Sequence, residues 1–167
     1  MMNILRYVAA PRFPYALALC ISVGLVGGGV VLAQTLHIAA CPLCIAQRLL
    51  YLGVASAAVL GLMLGRWRIP YLAAALLMAA IAATGAGVAA YQTYLQRFAV
   101  DTKCSGAMAW WEVLIDRAGE LVPWLFYASG LCSDPGWKFL SLSIAEWSLL
   151  AFSFLTAVAL YALLRRR

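Results

Sequence analysis

A chain of 167 residues that is 66% apolar and only 11% charged cannot cover a water-soluble surface, so composition excludes a soluble domain and indicates an integral membrane protein. Its 12 basic and 6 acidic residues leave a formal charge of +6. The basic residues sit at the ends of apolar runs instead of forming one patch, which argues against nucleic-acid binding.

In chain order, four runs reach the roughly 20 apolar residues that a helix needs to cross a bilayer. They predict spans over 14–34, 43–65, 69–91 and 146–164, joined on one face by connections at 35–42 and 92–145. The whole chain, 1–167, then forms a single transmembrane domain, an all-α bundle of four helices. Barrel strands would instead alternate in character over about ten residues. Arg6, Arg12, Arg66, Arg68, Arg165, Arg166 and Arg167 gather on one side with no acid among them, while Asp101, Glu112, Asp116, Glu120, Asp134 and Glu146 all fall on the other. Basic residues near span ends favour the cytoplasm, so both termini are expected there.

The first span contains Gly24-x-x-x-Gly28, a spacing that predicts close helix packing. Cys20 lies mid-span and reads as a small apolar filler. Ile38-Ala39-Ala40-Cys41 resembles the cleavage region of a lipoprotein signal peptide. However, the apolar run exceeds the 7–15 residues of a signal core, and Gln34, Thr35 and His37 separate it from Cys41. The first span is therefore expected to be retained.

Cys41-Pro42-Leu43-Cys44 opens the second span, and Pro42 suits a first helical turn because its missing N–H costs nothing there. The unsatisfied N–H groups and positive dipole end of a helix favour a thiolate at such a place. Arg48 follows Cys44 by four residues, on the same helical face. A cation so close to hydrocarbon is a functional candidate, with the Cys44 thiolate and a ligand oxygen as its partners. Snorkelling to the headgroups is the structural alternative. Gln47 is a weaker candidate for a hydrogen bond to the same ligand.

The third span ends in Tyr91-Gln92-Thr93-Tyr94-Leu95-Gln96-Arg97-Phe98, which has the composition of an interfacial belt. In the long connection that follows, Ala109–Leu125 predicts a short amphipathic helix lying on the membrane, between Cys104 and Cys132. Ala128-Ser129-Gly130-Leu131-Cys132-Ser133-Asp134-Pro135-Gly136 reads as a flexible turn, which puts Cys132 on a mobile loop.

Of five cysteines, Cys20 is embedded and the other four share the outward face, where an oxidising compartment permits disulfides. A zinc site would want paired ligand motifs, and the chain has one CxxC, two isolated cysteines and the single histidine His37. Structural disulfides remain an alternative for the isolated cysteines, whereas a CxxC loop is typical of redox pairs.

Together these residues resemble the disulfide bond formation protein B family, the DsbB quinone reductases of bacterial inner membranes. The resemblance rests on the four spans, on Cys41-x-x-Cys44 with Arg48, on Cys104, and on Phe126-Tyr127-Ala128-Ser129-Gly130-Leu131-Cys132. It continues through Trp137-Lys138-Phe139-Leu140-Ser141-Leu142 to Trp147. It implies a protein-dithiol:quinone oxidoreductase with Cys41, Cys44, Cys104 and Cys132 as catalytic residues. A DsbA-like periplasmic thiol–disulfide oxidoreductase is the implied partner, and membrane ubiquinone or menaquinone the implied acceptor. Arg48, Cys44, Gln47 and Ile144 are the expected quinone contacts. The implied path runs from the donor to a Cys104–Cys132 disulfide, then to Cys41–Cys44, then to quinone, with the redox connections in the periplasm. Such a sink makes physical sense, because an oxidant near ~−120 mV cannot be regenerated by a glutathione pool.

Two positions depart from the family pattern, both bordering the expected quinone site. A histidine common before the Leu-Gln pair is absent, with Tyr91, Gln92 and Tyr94 preceding Leu95-Gln96, and Ile144-Ala145 stands where Met-Pro is frequent. The vitamin K epoxide reductase family also pairs four helices with a CxxC, but carries it late in the bundle. A non-enzymatic membrane protein with structural external disulfides is the alternative of a different class.

Overall fold

The computed structural model describes residues 12–98, 110–126, 130–134 and 136–165. Cys104, Arg6, Arg166 and Arg167 lie outside these. Four long helices dominate: α1 (Phe13–Thr35), α2 (Pro42–Leu64), α3 (Arg68–Phe98) and α6 (Ile144–Arg165), each long and apolar enough to cross a membrane. Between α3 and α6 lie α4 (Trp110–Leu121), α5 (Pro123–Phe126) and a hairpin of β1 (Lys138–Phe139) and β2 (Leu142–Ser143). The amphipathic segment thus forms two helices, because Pro123 starts a new one and cannot continue the last. Leu121 and Trp124 are exposed on it, as suits a surface helix, while Ile115 is buried.

The connections are closed by local hydrogen bonding. His37, at φ 50°, takes the left-handed position after α1, and the Ile38 N–H bonds the Ala33 carbonyl in a Schellman arrangement. In the hairpin, Lys138 pairs with Ser143 and Phe139 with Leu142. Its two turn residues, Leu140 and Ser141, both have positive φ, the form that matches strand twist. Ser143-x-x-Glu146 makes a capping box on α6. The Ser143 N–H donates to Glu146 Oε2 at 2.7 Å, and the Glu146 N–H donates to Ser143 Oγ at 3.3 Å. Arg97 of α3 pairs with Glu146, and Ser143 Oγ donates to Gln96 Oε1 at 2.7 Å, so the outer ends of α3 and α6 are tied together.

The third helix runs seven residues beyond the expected span end of 91, to Phe98. At 31 residues it is about 46 Å long, more than the hydrocarbon core requires, and its last two turns stand beside the start of α2.

The bundle interior combines alanines with a few large rings. Ala74, Ala75, Ala82, Ala89, Ala159 and Ala162 let helices approach closely, which in lipid replaces the hydrophobic drive as the basis of association. Tyr15 meets Tyr71 edge-on at 5.0 Å and donates its hydroxyl to the Tyr71 carbonyl at 2.6 Å. Tyr51 stacks on Phe152 at 3.9 Å, only 6° from parallel.

The glycines of α1 do something other than the packing their spacing predicts. A Cβ at Gly24, Gly27, Gly28 or Gly29 would meet no atom within 4 Å. Close approach is instead made by Gly61 against the Tyr15 ring and by Gly85 against Phe152. A small residue marks where a neighbour can come close, and at this end of α1 the neighbouring space is open.

Because Phe152 is wholly buried and pinned by Tyr51, it cannot yield to a methyl at Gly85. Gly85→Ala should destabilise the bundle by about 1–3 kcal/mol, read as a lowered unfolding midpoint in detergent. Gly87→Ala, whose Cβ has open space, should leave that midpoint unchanged.

Candidate functional site

The site begins with the cap of α2. Cys41 is the N-cap, in extended conformation at φ −88° and ψ 162°, with Pro42 in the first turn. Its Sγ accepts the Cys44 backbone N–H at 3.3 Å, so a sulfur fills the place that a serine or aspartate oxygen takes at most helix starts. This geometry brings the two sulfurs to 3.0 Å, Cys41 donating to Cys44. Both are free thiols, as is Cys20, which is exposed on α1 away from the site. The hydrogen bond to Cys44, together with burial, pushes the Cys41 thiol up, so it keeps its proton and Cys44 is the sulfur positioned to carry charge.

The extension of α3 brings Gln92 to this pair. Gln92 is 2% exposed, and its Nε2 donates to Cys44 Sγ at 3.1 Å and to Cys41 Sγ at 3.3 Å. Gln47, 4% exposed, donates from Nε2 to Gln92 Oε1 at 2.7 Å. That bond fixes which end of the Gln92 amide faces the sulfurs. In the sequence Gln92 stood out only as one of three residues, with Tyr91 and Tyr94, that precede Leu95-Gln96. The signal that could have found it is the spacing Gln92-x-x-Leu95, one buried face of a helix prolonged past the belt.

Cys132 is disulfide-bonded and wholly buried, packed in one cluster with Cys41, Leu43 and Leu95. This corrects the expectation of a mobile loop. The Gly130 N–H bonds the Ala40 carbonyl at 2.9 Å, and Gln96 Nε2 bonds the Asp134 carbonyl at 3.3 Å, which docks the turn against the start of α2 and the end of α3. A Cβ at Gly130 would collide with the Ala39 carbonyl, so glycine is what permits the approach. Cys104 lies outside the described residues.

On the opposite side of the pair, Cys44 lines a cavity of about 350 Å³, a size in the range of ligand pockets. Its walls come from α1 (Gly28, Gly29, Leu32), the 38–40 connection, α2 (Cys44, Gln47, Arg48, Tyr51), Trp137 and Phe139 of the hairpin region, and Ile144, Trp147 and Ser148 of α6. The open glycine face of α1 is one of these walls. Arg48 donates from Nη1 to the Leu125 carbonyl at 2.7 Å, which ties it to α5, and it lies on the cavity wall. Ile144 lies on the wall and is 37% exposed. Gln47 also touches the cavity, but its amide is directed to Gln92.

Residues 11–162 match the family model described as disulfide bond formation protein DsbB. A disulfide bond formation protein B of Dechloromonas aromatica is 39% identical over 148 residues, 86% of each chain. Those of Aromatoleum aromaticum and Paracidovorax citrulli are 31% and 33% identical, covering 86% and 94% of this chain and 87% and 89% of their own. With its four apolar helices, the chain is a multi-pass membrane protein that belongs to the DsbB family of disulfide bond formation proteins.

Proposed function

We propose that the protein is a protein-dithiol:quinone oxidoreductase that reoxidises a DsbA-like periplasmic thiol–disulfide oxidoreductase and passes the electrons to membrane quinone. The observation that carries this reading is the position of the CxxC pair: Cys41 shares a buried cluster with disulfide-bonded Cys132, and Cys44, packed against that cluster, also lines an apolar cavity.

In the proposed sequence, a donor thiolate attacks Cys104 of a Cys104–Cys132 disulfide, forming a mixed disulfide and releasing Cys132 as a thiolate. The second donor thiol resolves the mixed disulfide, leaving the donor oxidised. Cys132 attacks Cys41 of the oxidised CxxC pair, and Cys44 leaves as a thiolate. Cys104 then attacks the Cys41–Cys132 bond, which restores its own disulfide and leaves Cys41 and Cys44 reduced. The shared burial of Cys132 and Cys41 in one cluster supports this direction of transfer, since attack needs the two residues to be close. Gln92 holds the Cys44 charge with an N–H donor, and Arg48 adds a permanent cation on the same wall. A quinone bound in the cavity would take up two electrons and two protons as the Cys41–Cys44 disulfide re-forms. The residues present fit such a ligand: apolar walls for a ring and its tail, with donors gathered where Cys44 opens onto them.

The chain is proposed to sit in the bacterial inner membrane with both termini cytoplasmic and the cysteines at the periplasmic face. Arg66 and Arg68, at the opposite end of the bundle from Cys41, support that orientation. A purely structural role for the cysteines leaves the cavity at Cys44 and the tethered Arg48 without a purpose.

Purified protein given reduced donor and quinone under anaerobic conditions should bleach the quinone absorbance, and Cys44→Ser should abolish this. Turnover by Cys44→Ser at the wild-type rate would sink the mechanism. Gln92→Leu removes a bond to a charged sulfur worth about 1.5–3 kcal/mol, so quinone-dependent turnover should fall about tenfold to a hundredfold, with Gln92→His recovering part of it. Gly28→Leu puts a side chain into the cavity and should raise the quinone KM while the rate of disulfide exchange with the donor stays within twofold.

A further inference from the structure

The wall of α2 that carries Cys44 and Arg48 continues to Tyr51, three residues past Arg48 and on the same face. Its ring lies on Phe152, while its hydroxyl is 2.9 Å from Ser148 Oγ and 3.3 Å from the Ser148 carbonyl. Ser148 precedes Phe152 by one turn, so the tyrosine leans from its ring toward the outer end of α6. The starts of α2 and α6 both lie beside the end of α3, so this lean also points the hydroxyl toward the turn that holds Gln47 and Arg48. Tyr51 and Ser148 both line the cavity, although neither is more than 9% exposed.

The donor count gives this pair a chemical meaning. Two hydroxyls bring two protons, and their mutual bond uses one. The other has the Ser148 carbonyl at the longer distance of 3.3 Å, and an oxygen entering the cavity competes for it. The cavity therefore has two separate places for an acceptor atom in largely apolar walls: the Arg48 guanidinium beside Cys44 at one, the hydroxyl pair at the other. A ligand that satisfies both is a flat ring with acceptor oxygens on opposite edges.

We propose that the Tyr51–Ser148 hydroxyl pair is the second anchor of a 1,4-quinone head group, donating a hydrogen bond to the ring carbonyl opposite the one that faces Cys44 and Arg48. The inference rests on the quinone reading above and adds the residues that set the ring's orientation and select against tails without a dione. A site whose buried donors need an acceptor rejects a ligand lacking one.

The test is binding, separate from turnover. Wild-type protein in nanodiscs is titrated with decyl-1,4-benzoquinone, followed by quenching of the tryptophans, of which Trp137 and Trp147 border the cavity. Decylbenzene, with the same tail and no carbonyl, is measured by competition. Tyr51→Phe keeps the ring on Phe152 and should weaken the quinone about tenfold without changing decylbenzene. Ser148→Ala leaves the Tyr51 proton in place and should weaken the quinone less than Tyr51→Phe, while the double variant, with no hydroxyl left, should bind it no more tightly than Tyr51→Phe. Undiminished quinone affinity in Tyr51→Phe overturns the anchor and leaves the proposed function standing. Equal weakening of both ligands means a packing role and overturns it too. A wild-type protein that binds no quinone overturns both readings.

Discussion

Lipid offers no hydrogen bonds, so every polar atom inside a spanning bundle must find its partner in the protein. At the cysteine-bearing end of this bundle the constraint is met by one connected set: Gln47 donates to Gln92, Gln92 donates to both sulfurs, and Cys41 caps the helix that carries Cys44. Each member depends on the next. Without Gln47, the Gln92 amide could turn its oxygen toward the sulfurs, where a thiolate would repel it. Without Gln92, Gln47 would be left with a buried donor unpaired, at a cost of about 1–3 kcal/mol. An amide is neutral, so it stabilises sulfur charge by its dipoles and adds no titrating group of its own beside the pair.

The rest of the fold serves to bring these groups together. An α3 of the minimum length would end at the membrane surface and leave Gln92 off the helix. Its extra turns are held by Arg97 and Gln96, which reach the capping box of α6. The same end of α3 receives Leu95 into the cysteine cluster and Asp134 onto Gln96, which seats Cys132. The interior stack of Gly85, Phe152 and Tyr51 ties the depth of the bundle to the cavity wall, so packing in the core and the shape of the site are one problem.

The helices were legible because lipid demands long apolar runs, and the start of α2 was legible because Pro42 and the CxxC mark it locally. What could not be read depends on which neighbour a residue meets. Gln92 and Gln47 lie far apart in sequence, and either alone is an ordinary polar residue near a membrane face. Gly24-x-x-x-Gly28 has the spacing of a helix contact, yet spacing cannot tell a partner helix from a cavity. The turn at Cys132 has the composition of a flexible loop, and its docking depends on a backbone bond from Gly130 to Ala40. Ser143-x-x-Glu146, by contrast, is a local signal that a closer reading of the sequence would have caught.

The two cysteines of the motif meet at one buried cluster, yet only Cys44 also lines the cavity, and the helix start is what makes that possible. Cys41, outside the first turn, has an extended backbone and turns toward the protein, into the cluster with Cys132. Cys44, inside the first turn, follows the helical face that continues through Arg48 to Tyr51. A CxxC in mid-helix would put both sulfurs on one face and in one environment. Placed across the cap, the same four residues face a protein disulfide on one side and an apolar cavity on the other, the arrangement required if electrons are to pass from a protein thiol to an acceptor that dissolves in lipid.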